Sequence, residues 1–478
     1  MGIRIKWKAI AVAVTAILLV PFVAQAAEEA DARMQALEDR MRSLEDRLIA
    51  SESTVAAQRE LLRRQQTPDV AQGSALDAFF SGLEFGGHVA ASYSYNFNNP
   101  DLNGGGVLGG GQPYFQFNTD HNTFSLDAVK LELGKPAAEP GSAGFQIDLL
   151  FGENANILKT LSPSVLTIDG RVAVGREVGD SNVFVQEAYV SYNYDGTEFK
   201  FGKFETLLGY EVLDSPYNPN ITHGLLFTWA IPLFHTGILA SGSLGESIEW
   251  AAGAVNGFNN ASDYGDNKGV LGRLGWANDN LSIALNTFIG AEQTRPSSSG
   301  GAGVVVGDDD DLMQIYDLVA TFTPNERLDL WLNLDYGKED FSDNAIGDAQ
   351  WWGVAAGFAY DISEKLSLAV RGEWFRDDGG TRLFGCSAPA VAPGSLGPNC
   401  VTPLLGSTTL ADEIDMTSAT VTLGYHLTEN LLARLEYRHD TFDGKGSEDA
   451  FGADFGKHDF EFDDQQDVGI LEVSYTFD

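Results

Sequence analysis

From residue 83 onward, apolar and polar residues alternate along segments of about ten residues. In residues 327–336 every second residue is leucine or tyrosine, and Arg, Asp and Asn occupy most positions between them. A period of two places successive side chains on opposite faces of an extended chain. This part of the sequence therefore predicts β-strands with one apolar and one polar face.

We count about sixteen such segments, separated by connections that are short and long in turn. The tight turns include Asp195-Gly196, Pro324-Asn325 and Thr428-Glu429, whereas the long connections are rich in Gly, Asp and Asn. The predicted strands begin near residues 83, 122, 142, 183, 197, 235, 246, 268, 280, 312, 326, 350, 364, 412, 430 and 466.

Short connections at one end and long ones at the other are typical of an up-and-down barrel in an outer membrane. A closed sheet satisfies every backbone hydrogen bond within lipid, which an open sheet cannot do. A soluble sandwich or propeller would also alternate, but it would not predict this strict order of connections. We therefore predict an all-β fold over residues 83–478, an antiparallel transmembrane β-barrel of about sixteen strands.

Before the barrel, the apolar residues step by three and four. Met34, Leu37, Met41, Leu44 and Leu48 form an a/d seam that weakens toward Leu62. This pattern predicts a helical coiled coil over residues 27–66 that associates with other copies of the chain. A solvated helix folded onto its own domain is the alternative. Residues 67–82 are predicted to be a linker.

The first 26 residues have the pattern of a secretory signal. Arg4, Lys6 and Lys8 precede an apolar run, and Ala24-Gln25-Ala26 fits a cleavage site. An uncleaved anchor is the alternative interpretation. No later stretch stays apolar for the roughly 18 residues that a membrane-spanning helix needs.

Composition narrows the function further. The formal net charge is −38, with 68 acidic and 30 basic residues, so the basic surface of a nucleic-acid binder is absent. The only two cysteines, Cys386 and Cys400, flank a loop, and in an oxidising compartment we expect a disulfide between them. Residues 308–311 are four aspartates, which we interpret as a solvated loop, with a divalent-cation site as the alternative. We predict no metal site and no cofactor.

Residues 201–237 carry a family resemblance. They read F-G-K-F, then G-Y-E, then N-P-N-I-T-H, and end on I-P-L-F-H-T-G. This stretch resembles the central region of the OmpL-like β-barrel porins of Gram-negative bacteria. A coil followed by a barrel also resembles the architecture of DcaP-like trimeric porins. The resemblance implies an outer-membrane channel and leaves the substrate open.

The third long connection, residues 205–234, is the candidate constriction because it mixes aromatic and acidic residues and contains no Lys or Arg. We expect it to fold into the lumen opposite basic wall residues and to create a transverse field. The alternative is that the wall residues are ordinary inward charges paired with Glu132, Glu373 or Glu436. The candidate loop residues are Glu205, Tyr210, Glu211, Asp214, Tyr217, Asn218 and His223. The candidate wall residues are Lys130, Lys200, Arg273, Arg327, Arg371, Arg434 and Arg438.

The function predicted from these features is a porin for passive diffusion of ions and small hydrophilic solutes, favouring cations. Its partners would be outer-membrane lipid and two further copies of the chain in a homotrimer, with no nucleic acid. A structural or adhesive barrel is the alternative, with the coil contacting periplasmic partners. An enzyme is disfavoured because no H-E-x-x-H or G-x-S-x-G motif occurs.

Overall fold

The computed structural model of the chain describes residues 82–98, 115–161, 165–168, 171–174, 183–261, 267–291, 312–340, 348–378, 382, 413–445 and 465–477. The predicted signal sequence, the predicted coiled coil, the aspartates at 308–311 and both cysteines lie outside these residues. Those predictions stay predictions.

Eighteen strands and one α-helix are described. The strands are β1 (Glu84–Asn96), β2 (Thr123–Lys135), β3 (Ala143–Phe151), β4 (Val165–Ile168), β5 (Arg171–Val174), β6 (Val183–Tyr194), β7 (Thr197–Glu205), β8 (Phe234–Leu244), β9 (Ile248–Val255), β10 (Gly269–Ala277), β11 (Leu281–Ala291), β12 (Leu312–Asn325), β13 (Leu328–Glu339), β14 (Ala349–Asp361), β15 (Leu366–Asp378), β16 (Glu413–His426), β17 (Leu431–Lys445) and β18 (Gln465–Phe477). The helix α1 is Glu153–Leu161.

Sixteen of these strands form one closed antiparallel barrel, and β4 and β5 form a separate two-stranded sheet. The barrel closes where β1 pairs with β18, in a register that runs from Gly87 opposite Phe477 to Asn96 opposite Val468. Each predicted strand start lies within two residues of an observed one. The predicted sixteen-stranded antiparallel barrel is confirmed.

The barrel wall exposes apolar side chains on its outer face and buries charged ones inside, which is the reverse of the arrangement in a soluble protein. On β17, Leu435 is 57 % exposed on the outer face, whereas its neighbours Arg434 and Glu436 are 3 % and 1 % exposed inside. Lipid solvates an apolar outer surface, so alternation with this polarity suits a membrane-embedded barrel. Among the described residues, no helix is long and apolar enough to cross a membrane.

The tight turns lie at one end of the barrel. Asp195 and Gly196 have φ angles of 50° and 85°, the positive pair that a type I′ hairpin turn requires and that Asp-Gly readily adopts. The long connections leave the opposite end.

The connection after β3 differs from the prediction. The sequence predicts one long connection between the strands that begin near residues 142 and 183, yet this connection contains α1 and the antiparallel pair β4 and β5. Gly152 has a φ of +105°, and a Cβ there would lie 2.7 Å from the Leu126 carbonyl oxygen. The chain therefore turns sharply against β2, and α1 buries Ala155 and Leu158. Because α1 is short, its helical periodicity is too weak to recognise in a sequence dominated by strands and long glycine-rich loops.

Candidate functional site

The connection between β7 and β8 folds into the barrel, and we call residues 206–233 the lumen loop. It contains a 3-10 turn at Ser215–Tyr217 and a single π-helical turn at Leu226–Ala230, all of whose residues are buried. Gly209 has a φ of +89°, and a Cβ there would lie 2.5 Å from Ile231 Cδ1. Glycine is needed at this position both for its backbone conformation and for the close approach of Ile231.

The lumen loop contacts distant parts of the wall. The Tyr210 N–H donates to Asn333 Oδ1 on β13 at 3.0 Å. The Ser215 hydroxyl donates to Glu472 Oε2 on β18 at 2.6 Å. Since β13 and β18 are five strands apart around the barrel, the loop crosses the interior.

Arg371, on β15, has bonding partners both in the lumen loop and on the wall. Its Nη1 lies 2.5 Å from Glu211 Oε1 and donates to the Thr222 carbonyl oxygen at 2.6 Å. Its Nε lies 2.8 Å from Glu373 Oε2, and both Arg371 and Glu373 are buried. A buried guanidinium needs such charge and hydrogen-bond partners, and here the lumen loop provides two of these three, Glu211 and Thr222.

Two arginines on β17 bind the main chain of the loop. Arg434 donates to the Asn218 carbonyl oxygen at 2.7 Å and lies 2.5 Å from Glu472. Arg438 donates to the His223 carbonyl oxygen at 2.7 Å. Guanidinium groups carry five donors, so each can hold a wall carboxylate and a loop carbonyl together.

Glu436 lies between these arginines and binds the loop through its acceptors. Its carboxylate accepts from the Ile221 N–H at 2.6 Å and from the Thr222 N–H at 3.0 Å. The Thr422 hydroxyl of β16 also donates to it at 2.6 Å. Backbone amides that would be orphaned inside the barrel are thus satisfied by the wall.

Lys130 on β2 forms a second ionic anchor. Its Nζ lies 2.5 Å from Asp214 of the loop, 3.2 Å from Asp148 and 2.9 Å from Glu132. The Gln186 amide donates to Asp214 at 3.3 Å. The acidic end of the 3-10 turn is therefore fixed to the β2–β6 side.

The later half of the loop is apolar and packs against an apolar layer of the wall. Trp351 Nε1 donates to the Ala230 carbonyl oxygen at 3.0 Å. Leu226 occupies the space beside Gly353, where a Cβ would lie 2.7 Å from Leu226 Cδ1. The surrounding buried residues are Phe288, Met313, Ile315, Phe375, Ile414 and Met416.

His223 is enclosed within the lumen loop. Its ring lies 4.3 Å from that of Phe227 and 4.8 Å from that of Phe117, measured between centroids. Burial lowers its pKa to about 4, against a raising contribution from the bond of Nε2 to the Val212 carbonyl oxygen and a further lowering by Arg371. The imidazole is therefore neutral at pH 7.

Tyr210 faces the β13 side, where its ring stacks on Trp331 at 4.3 Å. Burial raises the pKa of its hydroxyl above the usual range, and nearby Asp329 and Glu211 add to this. The phenol is therefore protonated at all pH values at which the barrel would function.

On strands β6–β10, which we call the solvated wall, inward charges stay accessible. The side chains of Glu198 and Lys200 are 32 % and 25 % exposed, and Glu249 is also exposed. Glu187 and Arg273 are intermediate. By contrast, the inward charges of β15–β18, which we call the fastened wall, are buried by the loop.

The predicted site residues fall into two groups, those that join the lumen loop to the wall and those that do not. Contacts between loop and wall use Tyr210, Glu211, Asp214, Asn218, His223, Lys130, Arg371, Arg434 and Arg438. Glu205, the last residue of β7, accepts a hydrogen bond from Gln186, and Tyr217 is 55 % exposed. Lys200 and Arg273 lie on the solvated wall.

Two expectations about geometry need correction. Arg327 is exposed in the turn between β12 and β13 and is not on a strand, because the strand pattern was extended by one residue. The acidic loop and the basic wall were expected on opposite sides of an opening, yet Lys130, Arg371, Arg434 and Arg438 touch the loop directly. Opposite charges attract each other more strongly where little water surrounds them, so in this crowded interior they lie in contact.

Several site residues were not among the predicted ones. Glu373, Glu436 and Glu472 accept hydrogen bonds from the lumen loop. From the sequence alone, the first two are considered only as ion-pair partners of basic wall residues. Asp317 and Asp335 also face inward and are buried. Strand parity could have placed all five inside the barrel. Within the described part of the chain, no group of three or more His, Cys, Asp or Glu residues is arranged to hold a metal ion.

The barrel resembles solved outer-membrane channels. It is similar to the outer membrane channel DcaP of Acinetobacter baumannii, with 12 % identity and a TM-score of 0.50 over 83 % of this chain and 97 % of that one. An anion-selective porin from Comamonas acidovorans matches with 10 % identity and a TM-score of 0.50 over 83 % and 99 %. OprB of Pseudomonas putida matches with 13 % identity and a TM-score of 0.50 over 85 % and 96 %. At these identities the likeness concerns the fold.

A comparison with curated proteins finds no match. The family model described as "Putative beta-barrel porin-2, OmpL-like" matches residues 82–477, which is the whole barrel. The motifs of residues 201–237, the closed sixteen-stranded barrel and this match agree, and the chain belongs to the OmpL-like β-barrel porin family.

Proposed function

We propose that this chain is a porin of the Gram-negative outer membrane through which ions and small polar solutes diffuse passively, with cations favoured. The family and the fold point to a channel that carries out no catalysis. The observation that carries the proposal is the difference between the two walls of the lumen. The lumen loop covers the charges of the fastened wall and leaves those of the solvated wall accessible to water.

The preference for cations follows from the solvated wall. Its most accessible inward charges are the carboxylates of Glu198, whose side chain is 32 % exposed, and of Glu249, which is exposed. Accessible carboxylates in a narrow, low-dielectric passage raise the local concentration of cations. The net charge of −38 for the whole chain acts in the same direction.

Planar-bilayer recording of the purified full chain tests this proposal. We expect conductance steps. In a KCl gradient we expect a reversal potential whose sign shows that potassium permeates better than chloride. A folded, detergent-stable barrel without conductance at any voltage would overturn the channel. A reversal potential on the chloride side would overturn the cation preference alone, and swelling of liposomes with sugars of graded size would then define the solute limit.

The proposal includes a homotrimer, with residues 27–66 as the self-associating segment. Native mass measurement should give three copies for the full chain. Deletion of residues 27–66 should reduce the trimer population while conductance per barrel persists. A monomeric full chain would remove the trimer from the proposal.

A further inference from the structure

Two carboxyl groups face each other beneath the first half of the lumen loop. Asp317 of β12 and Asp335 of β13 are direct cross-strand partners. Both point inward, with 0 % and 4 % of their surface exposed. Like charges directly opposite each other destabilise a sheet even at its surface, and here water is excluded as well.

The two groups have different surroundings. Asp317 accepts hydrogen bonds from Asn286 Nδ2 and Asn333 Nδ2, both at 2.5 Å, and the backbone amide of Gly209 in the lumen loop favours its charged form. Among the described residues, no amide, hydroxyl or cationic group donates to either oxygen of Asp335. The charged group that acts on Asp335 is the carboxyl of Asp317.

No cation compensates the pair from the elements packed around it. On β10, Arg273 reaches Asn286 at 3.0 Å and not a carboxyl. On β14, Gly353 lies opposite Asp335, and the apolar Leu226 fills the space beside it.

The titratable groups of the loop are also engaged elsewhere. Tyr210 stacks on Trp331, and Glu211 is paired with Arg371. The pair therefore has no opposite charge among the described residues that face it.

We propose that Asp317 and Asp335 form a proton-binding site that fastens the lumen loop. One proton resides on Asp335 and is donated to the Asp317 carboxylate, because two adjacent carboxylates cannot both ionise in a dry interior. Asp317, with its charge retained, then accepts from Asn333, and Asn333 in turn accepts from the Tyr210 N–H of the loop. Removal of the proton leaves two facing charges, so the contact with the loop loosens as pH rises.

Infrared spectroscopy of the full chain tests the proton directly. We expect the spectrum of the unaltered protein minus that of Asp335→Asn, at neutral pH, to show a carbonyl-stretch band of a protonated carboxyl. The matched control Asp329→Asn, an exposed carboxyl on the same strand, should give no such difference band. Absence of the difference band for Asp335→Asn overturns the proposal, as does an equal difference band for Asp329→Asn. A bound sodium or calcium ion in place of the proton would also give no band.

Hydrogen exchange of the Gly209 and Tyr210 amides tests the link to the loop. After correction for intrinsic rates, exchange should accelerate above neutral pH in the unaltered protein and stay flat in Asp335→Asn, whose amide still donates to Asp317. Asp317→Asn should lose protection already at neutral pH, because a neutral amide is a weaker acceptor for the Asn286 and Asn333 amides. Equal behaviour of the two variants overturns the assignment of the proton to Asp335. Neither readout needs conductance, so failure of the porin proposal would leave this site intact.

Discussion

The fastened wall and the solvated wall carry the same kinds of residue and use them differently. On β15–β18, Arg371, Arg434 and Arg438 are at most 3 % exposed and bond to the lumen loop. On β7, the side chain of Lys200 is 25 % exposed and its closest carboxylate, Glu198, lies 3.9 Å away. The path of the loop therefore decides that these arginines hold the loop and that Lys200 meets the solvent.

The largest expected effect is loss of an anchor from the fastened wall. Arg371→Met removes the charge partner of Glu211 and Glu373 and leaves each carboxylate buried with only a backbone amide of the loop as donor, Gly224 and Leu225 respectively. Breaking a buried ion pair in this way costs about 3–5 kcal/mol. We expect faster hydrogen exchange of the lumen loop and larger, noisier conductance steps.

The matched substitution Lys200→Met, on the solvated wall, is the control for that variant. An exposed ion pair is worth about 1 kcal/mol or less, so exchange of the loop should stay as in the unaltered protein. If Lys200→Met loosened the loop as much as Arg371→Met, the distinction between the two walls would be wrong.

The position of the strands could be predicted because their signals are local. A period of two and a turn such as Asp195-Gly196 are both contained within a few residues. The anchors of the loop join residues far apart in sequence, as with Ser215 and Glu472, which are 257 positions apart. Strand parity placed Arg371 inside the barrel, but only the folded path of the loop identifies Glu211 and Thr222 as its partners.

The next largest expected effect is a pH dependence of the stability of the lumen loop where it packs against the fastened wall. The pKa of His223 is about 4 because the ring is buried, against an ordinary value of 6.5. A group with a lowered pKa stabilises the folded loop above its ordinary value, and this contribution is lost as pH falls toward 4. The difference of 2.5 pKa units corresponds to about 3 kcal/mol.

Hydrogen exchange of residues 211–223 between pH 7 and pH 4, corrected for intrinsic rates, measures this loss. In His223→Phe, which keeps an aromatic ring between Phe117 and Phe227, the dependence should flatten. An equal slope in both proteins would assign the acid sensitivity to groups other than His223.

The smallest expected effect is on ion selectivity, and it belongs to the solvated wall. Glu198→Gln removes a half-exposed inward carboxylate, so the potassium-to-chloride permeability ratio should fall. Since a unit charge at 4 Å contributes about 1 kcal/mol in water, the change should be about fivefold or less and should shrink at high salt. Glu246→Gln makes the same charge change in the exposed turn between β8 and β9 and should leave the ratio unaltered. A larger shift from Glu246 than from Glu198 would locate selectivity at the mouth of the barrel and not at the solvated wall.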